Sequence, residues 1–566
     1  MWPPRRSGGG DVKHCYARGH RDSGLVSGSS HVRSDMGDIG FKLKVLRRIG
    51  IIQPTSPARG LKAAKALRTW GPGFPSGVAA TAARFPQQTA IHDDAGDITW
   101  GELKADIDRY TQALKDRGVG PGVSVAVLQR NHRYLVMTLV AVMQAGGRLL
   151  LLNTMASSSQ LTELTKREGA ELAVIDSEFL EVAKNIPRES IVLAWADDDA
   201  PDDLPTVASI SADMPSDPHD KPEKSGQIII FTSGTTGLPK GARREEPKDL
   251  KPLLAYFGAI PYRGNSTVVL AAPLFHSWGL INFGFGLSTA PTYVLRRKFS
   301  PEQVLKDIET YRARVLVVVP LMIQRLVDAS SEAIEKRDVS SLEITASSGS
   351  ALAGDLANHF MDLFTDSVYN FYGATETGWV TIASPEDLRA APGTAGRPPW
   401  RTTVKILDEN GKELPQGETG VIHVGNDMPF GGYTDGNSKS FADGLMHTGD
   451  LGYFDEDGRL FVAGRDDDMI ISGGENVFPR ELEDALIEHP AISDVVVTGV
   501  DDPDWGQALA AYVVVKDGQE IDADGVIAHA REHVARFAVP RKVTFLDELP
   551  RNPTGKVMKR ELPDPA

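Results

Sequence analysis

With Cys15 as its only cysteine, this 566-residue chain cannot hold an internal disulfide. The same scarcity excludes a thiol-ligated metal site and a catalytic cysteine in the body of the protein, and it fits a reducing compartment. No run of eighteen apolar residues occurs, so no segment reads as a membrane-spanning helix. The start is basic but lacks the apolar stretch and small-residue cleavage site of a secretory leader, which directs the expectation to the cytoplasm. An overall positive charge is missing too, since the net charge is −15. Residues 1–68 hold fourteen Lys/Arg against four Asp, or +10, which leaves −25 for the remainder. An acidic bulk of that size disfavours nucleic acid as a partner.

What remains is an ordinary globular composition, 41% hydrophobic and 24% charged, in a chain too long for one core. Residues 1–40 are rich in Gly, Ser, Arg and His and read as a disordered extension, with Met36 as the expected natural start of translation. Residues 41–69 form a basic amphipathic lead-in. In it Phe41, Leu43, Val45, Leu46, Ile49, Ile51 and Ile52 alternate with Lys42, Lys44, Arg47 and Arg48. Two readings of that lead-in stand side by side: a helix docked on the main body, or a peripheral contact with anionic lipid headgroups. Over 99–118 the pattern is helical, with Leu103, Ile107, Tyr110 and Leu114 on one face and Thr99 and Glu102 at capping-box spacing. Val123–Gln129, Glu171–Asp176, Val268–Ala272 and Val315–Val319 read as buried strands between helices, which implies a layered α/β body with a largely parallel sheet. Past residue 400, short strands at Val404–Asp408, Val421–Gly425 and Leu460–Ala463 alternate with turns, as in antiparallel β structure. A domain of 70–464 is therefore expected, followed after the charged run Arg465–Asp468 by a smaller unit of 465–566 with helices near 479–488 and 524–535.

The segment Ile228–Ala242, IIIFTSGTTGLPKGA, carries the strongest chemical signal. An apolar strand opens onto hydroxyl donors at Thr232, Ser233, Thr235 and Thr236. Gly234 and Gly237 let the backbone turn its N–H groups toward an anion, and Lys240 adds a positive charge. The spacing excludes the P-loop of nucleotide hydrolases, because only two residues separate the glycines and Gly241, not Ser or Thr, follows the lysine. A flexible linker is the bland alternative, but linkers seldom follow an all-apolar strand.

TSGTTGLPKG resembles the phosphate loop of the adenylate-forming enzymes, which include acyl-CoA synthetases, luciferases and peptide-synthetase adenylation domains. Further motifs of that family follow in order: FYGATETG at 371–378, the segment from HTGD to FPRELE at 447–483, and PRNPTGKVMKREL at 550–562. The resemblance implies a large domain of layered β/α subdomains with a distorted antiparallel β-barrel, and a small mobile C-terminal α+β domain. It also implies ATP, Mg²⁺ and coenzyme A as ligands. Carried over by motif, Thr232, Ser233, Gly234, Thr235, Thr236, Gly237 and Lys240 would hold phosphates. Ser348, Gly349 and Ser350 would line the adenine pocket, and Tyr372, beside Gly373, would stack on the base. Thr375 would touch phosphate and Glu376 would ligate Mg²⁺. Asp450 would accept from the ribose hydroxyls with Arg465 beside it, and Lys556 would bridge the acyl carboxylate and the α-phosphate.

Lys556 lies 316 residues beyond Lys240, so domain closure is needed to bring the two together. By motif position the pivot of that motion would be Asp467, and Gly473 and Gly474 would leave space for the pantetheine arm of CoA. PLFHSWGL at 273–280 resembles the segment flanking the acyl pocket, with His276 near the carboxylate and Trp278 in the wall. Phe283 and Phe285 with Gly279, Gly284 and Gly286 suggest an apolar channel without a charge to select an amino acid, so a medium- or long-chain fatty acid is the expected substrate. One departure is present: after PKG, the apolar residue and Ser/Thr-His pair of most relatives are replaced by Ala242-Arg243-Arg244-Glu245-Glu246-Pro247.

The expected activity is thus a fatty-acid–CoA ligase, an acid–thiol ligase of lipid metabolism. The rivals are a fatty-acyl-AMP ligase serving a carrier protein, a peptide-synthetase unit, and a non-catalytic nucleotide- or lipid-binding relative. The last of these would be expected to have lost Lys556, Glu376 or Asp450.

Overall fold

The computed structural model describes residues 29–53, 55–232, 239–244, 249–329, 337–428, 430–465, 470–472, 475–502, 506–553 and 555–565. The chain enters through α1 (Ser29–Arg48), α2 (Pro57–Trp70) and α3 (Phe74–Arg84). Residues 29–40, expected to lack structure from their composition, belong to α1 instead. Val45 and Ile49 are buried, the Arg48 guanidinium donates to the Phe257 carbonyl, and Gly264 N–H donates to the Arg48 carbonyl. The end of α1 is therefore docked on the body. In α4 (Trp100–Asp116) the capping box of Thr99 and Glu102 is formed, and Leu103, Ile107, Tyr110 and Leu114 are fully buried along one face.

Two largely parallel sheets form the body. The first has eight strands in the order Thr381–Ala383, Val368–Tyr372, Ile344–Ser347, Val315–Val318, Thr267–Leu270, Thr292–Val294, Thr89–Asp93 and Gly96–Thr99; its six inner strands run parallel and its two edges antiparallel. The second has seven, in the order Phe430–Tyr433, Lys240–Arg244, Gln227–Thr232, Arg148–Leu151, Ser124–Leu128, Ala170–Ile175 and Ile191–Leu193. Its apolar strands Ser124–Leu128 and Arg148–Leu151 are almost wholly buried, as continuous Val/Leu runs require. Lys240–Arg244 is a strand paired with Gln227–Thr232, Thr232 standing opposite Lys240.

A third sheet of five antiparallel strands spans Thr403 to Arg465 around Ile406, Ile422, Val424 and Leu460. The fourth lies in the small C-terminal domain. There Ile492–Asp502 and Gly506–Val515 form a long hairpin flanked by Ile470–Ser472, Glu475–Val477 and Lys542–Phe545. Helices Pro479–Ile487 and Ala523–His533 bury Leu482, Leu486, Val526 and Ala530 in a core with Val497, Leu509 and Val513.

Candidate active site

In open parallel sheets, ligands bind beyond the carboxyl ends of the strands. His276 follows Thr267–Leu270, Ser348–Ser350 follow Ile344–Ser347, and Tyr372 ends Val368–Tyr372, so all three lie at that edge of the first sheet. Gly349 turns the chain with φ +105°, a conformation that disfavours any side chain. Gly373 admits no Cβ, because the Gly378 carbonyl closes over it.

One short stretch, Phe371–Glu376, joins three groups of side chains. At its start, the Phe371 ring packs on Trp278 with centroids 4.8 Å apart. Tyr372 donates its hydroxyl to Asp450 Oδ2 at 2.6 Å, while Asp450 Oδ1 lies 3.7 Å from Arg465 Nε across the strand pair Leu445–Phe454 and Leu460–Arg465. Burial raises the pKa of Asp450; the Tyr372 bond and the charges of Arg465, Lys439 and Lys556 oppose that rise. Tyr372 itself is pushed far up by burial and by the carboxylate it serves, so it stays a donor.

Thr375 Oγ1 lies 3.2 Å from Ser277 Oγ, next to His276. His276 caps the helix Ser277–Gly286 by accepting from Trp278 N–H. Burial lowers its pKa to about 4, so the imidazole is neutral at physiological pH. Trp278 is buried, and its indole N–H donates to the Val318 carbonyl at 2.8 Å. Glu376 is buried and accepts the Tyr433 hydroxyl at 2.6 Å; Lys240 Nζ sits 5.5 Å from the centre of the Tyr433 ring.

The small domain reaches the same place. Gly555 packs against Leu321 of the large domain, the Lys556 amide donates to Asn552 Oδ1, and the Lys556 charge is felt at Asp450. The structure thus links Tyr372, Glu376, Asp450, Arg465 and Lys556 to the 371–376 stretch, with Lys240 joined through Tyr433 and Thr232 opposite Lys240 on the neighbouring strand. Ser233, Gly234, Thr235, Thr236, Gly237, Asp467, Gly473 and Gly474 lie outside the described residues.

Two features differ from the sequence reading. Tyr372 holds the carboxylate of Asp450 with its hydroxyl in addition to offering a ring face. The three helical glycines are also not gaps: a Cβ at Gly279 would strike the Pro273 carbonyl, one at Gly286 the Tyr293 hydroxyl, and one at Gly284 would lie 3.1 Å from the Phe74 ring. None of these three positions opens onto free space. Arg243 alternates with Lys240 across the strand, so it faces the opposite side of the sheet, where it donates to the Thr434 carbonyl. Tyr433, Ser277 and Thr448, which donates to the Ile422 carbonyl and accepts from the Asp450 amide, were missed. Only Tyr433 had a local signal, an aromatic between glycines and a Thr-Asp turn.

The AMP-binding enzyme model matches residues 78–434, and the model of the AMP-binding enzyme C-terminal domain matches 481–556. A feruloyl-CoA synthase of an Amycolatopsis species is 31% identical over 488 residues, covering 84% of this chain and 96% of that protein. A fatty acid–[acyl-carrier-protein] ligase, ScoC of Streptomyces coeruleorubidus, is 28% identical over 493 residues, with 85% and 93% covered. Among solved structures, the o-succinylbenzoate CoA synthetase of Bacillus subtilis in complex with its acyl-adenylate superposes with a TM-score of 0.75 at 27% identity, covering 86% of this chain and 98% of that one. With the family model spanning well over half of its length, the chain belongs to the AMP-binding, adenylate-forming enzyme family of ligases.

Proposed function

We propose that this protein is an acid–thiol ligase that activates a hydrophobic carboxylic acid with ATP and transfers the acyl group to coenzyme A. The carboxylate attacks the α-phosphorus, pyrophosphate leaves, and the thiol then displaces AMP from the acyl-adenylate. The observation that carries this reading is the continuity of Phe371–Glu376. It connects the Trp278 ring, the Asp450 carboxylate and, through Tyr433, Glu376 and Lys240, an order that supports successive acyl, ribose and phosphate sites.

Each residue has a part in that task. Asp450 accepts from the ribose hydroxyls, fixed by Tyr372 and Arg465. Thr232 and Lys240 hold the departing phosphates, and Lys556 draws the carboxylate and the α-phosphate together. His276, being neutral, offers a polar edge to the acid without a charge that would bind it as a salt. Among the described residues no group of three or more His, Cys, Asp or Glu is arranged to hold a metal ion. A single buried carboxylate at Glu376 fits Mg²⁺ that arrives with the nucleotide, the remaining ligands being phosphate oxygens and water. Bound there, the ion would neutralise phosphate charge.

For the acid, a medium- or long-chain fatty acid follows from the uncharged, apolar surroundings of Trp278. The filled glycine positions favour a second reading, a compact acid such as an aryl or short acyl carboxylate, and relatives named for ferulate and o-succinylbenzoate agree with it. Mass spectrometry of products formed from Mg-ATP and a panel of fatty and aryl acids, with and without CoA, decides the matter. Acyl-CoA formed only with CoA supports the ligase, and the acid consumed fastest selects between the two readings. Acyl-AMP that persists despite CoA would replace the reading with a carrier-dependent ligase, and no adenylate from any acid would refute it.

A further inference from the structure

Residues 39–92 contain no Asp or Glu and nine Lys or Arg. With 76 acids in 566 residues, about seven would fall in a stretch of that length, so the acid-free run stands out in a chain of net charge −15. Two of the nine cations are committed to the body, since Arg48 donates to the Phe257 carbonyl and Arg84 to the Gly50 carbonyl. Four others, Arg59, Lys62, Lys65 and Arg68, are exposed on α2. No acid lies on α2 or on α3, against which it packs.

The same helix exposes apolar side chains. Leu61 is 73% and Leu67 51% accessible, whereas Ala63 is the one buried residue of α2. Leu61, Ala64 and Arg68 stand three and four residues apart, and Lys65 and Leu67 flank that row, so the outward face carries leucines framed by cations. Long basic side chains can lay their stems along an apolar surface and keep their charge in a headgroup layer. A soluble polyanion would match the charge but leave the leucines in water. The family model begins at residue 78, so α2 precedes the part of the chain that the family defines.

We infer that the outward face of α2 docks the enzyme on the surface of an anionic lipid bilayer. The occupant is lipid, not a soluble polyanion. The contact is peripheral, because among the described residues no helix is long and apolar enough to cross a membrane. The acidic remainder of the chain, at −25, is repelled by the same surface, so attraction at α2 and repulsion elsewhere orient the molecule. For residues 41–52 the sequence left a docked helix and a lipid contact side by side; Val45 and Ile49 are buried there while Leu43 and Ile52 stay exposed, and α2 adds the acid-free face. The inference stands on the surface alone and is independent of which acid the enzyme activates.

Cosedimentation of the full chain with phosphatidylcholine vesicles, and with vesicles in which a fraction of the lipid is phosphatidylserine, tests it. Binding is expected only to the anionic vesicles and should fall steeply with added salt. Lys62→Glu/Lys65→Glu/Arg68→Glu should weaken it by at least about a hundredfold, at roughly fivefold per charge removed. Leu61→Ser/Leu67→Ser should weaken binding at every salt concentration while leaving the salt slope unchanged. Adenylate formation should be unaltered in both variants, which shows that they are folded. No binding to anionic vesicles at low salt, or equal binding by the charge-reversed variant, overturns the inference. Leucine-independent binding that soluble heparin matches and displaces would also overturn it, in favour of a polyanion site.

Discussion

Tyr372→Phe removes one hydroxyl from the site and leaves the ring in place, so it separates two roles that the sequence merged. The hydroxyl donates at 2.6 Å to a carboxylate that is only 18% exposed. A hydrogen bond to a charged group of this kind contributes about 1.5–3 kcal/mol. If Asp450 must be ionised to accept from the ribose, kcat/KM for ATP should fall roughly ten- to hundredfold. The pH profile should move as well. Burial already raises the Asp450 pKa, and the Tyr372 bond is the largest effect opposing that rise. Without it the carboxyl holds its proton to a higher pH, so the acid limb of kcat/KM for ATP should shift upward. The assay is pyrophosphate release against ATP concentration from pH 5 to 8, with Tyr372→Leu as the variant that loses ring and hydroxyl together. An acid limb that stays in place in Tyr372→Phe, with full loss only in Tyr372→Leu, would refute the hydroxyl's role and leave stacking alone.

Tyr433→Phe keeps the ring under Lys240 but strips Glu376 of its donor; kcat/KM for ATP should drop about tenfold or more, and the Mg²⁺ concentration for half-maximal rate should change, whereas a purely structural tyrosine would leave that concentration unmoved. Lys556→Ala should cost about 3–4 kcal/mol in adenylate formation, measured by pyrophosphate release, yet spare thioester formation from supplied acyl-adenylate; equal loss in both half-reactions would show that the lysine is not specific to the first. His276, whose pKa is about 4 in the folded protein, should contribute a stability that is complete above its unfolded pKa near 6.5 and is lost as the pH falls toward 4. The loss is at most about 3 kcal/mol, because the ring keeps partial contact with water; His276→Asn should flatten that part of the Tm–pH curve, and an unchanged curve would refute the burial argument.

Much of this site is written in local patterns. The apolar run Ile228–Phe231, the helical period of α4 and the capping pair Thr99–Glu102 are set by neighbouring residues, so periodicity finds them. The pairing of Asp450 with Arg465 came from the family resemblance, and the strand pair shows the two in register. Tyr433 is 57 residues from the carboxylate it serves and Ser277 is 98 from Thr375, and no local pattern encodes a partner at such distances. Strand Lys240–Arg244 was not foreseen, because its pairing with Gln227–Thr232 is a tertiary matter. The small domain was expected from two helices, whereas its largest element is the hairpin of Ile492–Asp502 and Gly506–Val515, two apolar runs that the sequence DDPDWG at 501–506 divides.

The glycines of the helix Ser277–Gly286 show the limit most sharply, because a sequence reports a missing side chain but not what fills its place. At Gly286 the space belongs to the Tyr293 hydroxyl, which donates to the Phe283 carbonyl at 2.7 Å; a methyl there must displace a fully buried tyrosine. At Gly284 the neighbour is the face of Phe74, whose atoms at 3.1 Å need to yield only slightly. Overpacking costs about 1–3 kcal/mol, against a gain of up to about 1 kcal/mol from replacing a helical glycine by alanine. Gly286→Ala should therefore lower Tm clearly and Gly284→Ala scarcely at all. Neither should alter the order in which acids of different length are consumed, because neither position opens onto a substrate. If either alanine instead shortened the preferred acid while Tm held, the glycines would line a channel after all, which would favour the long-chain reading over the compact one.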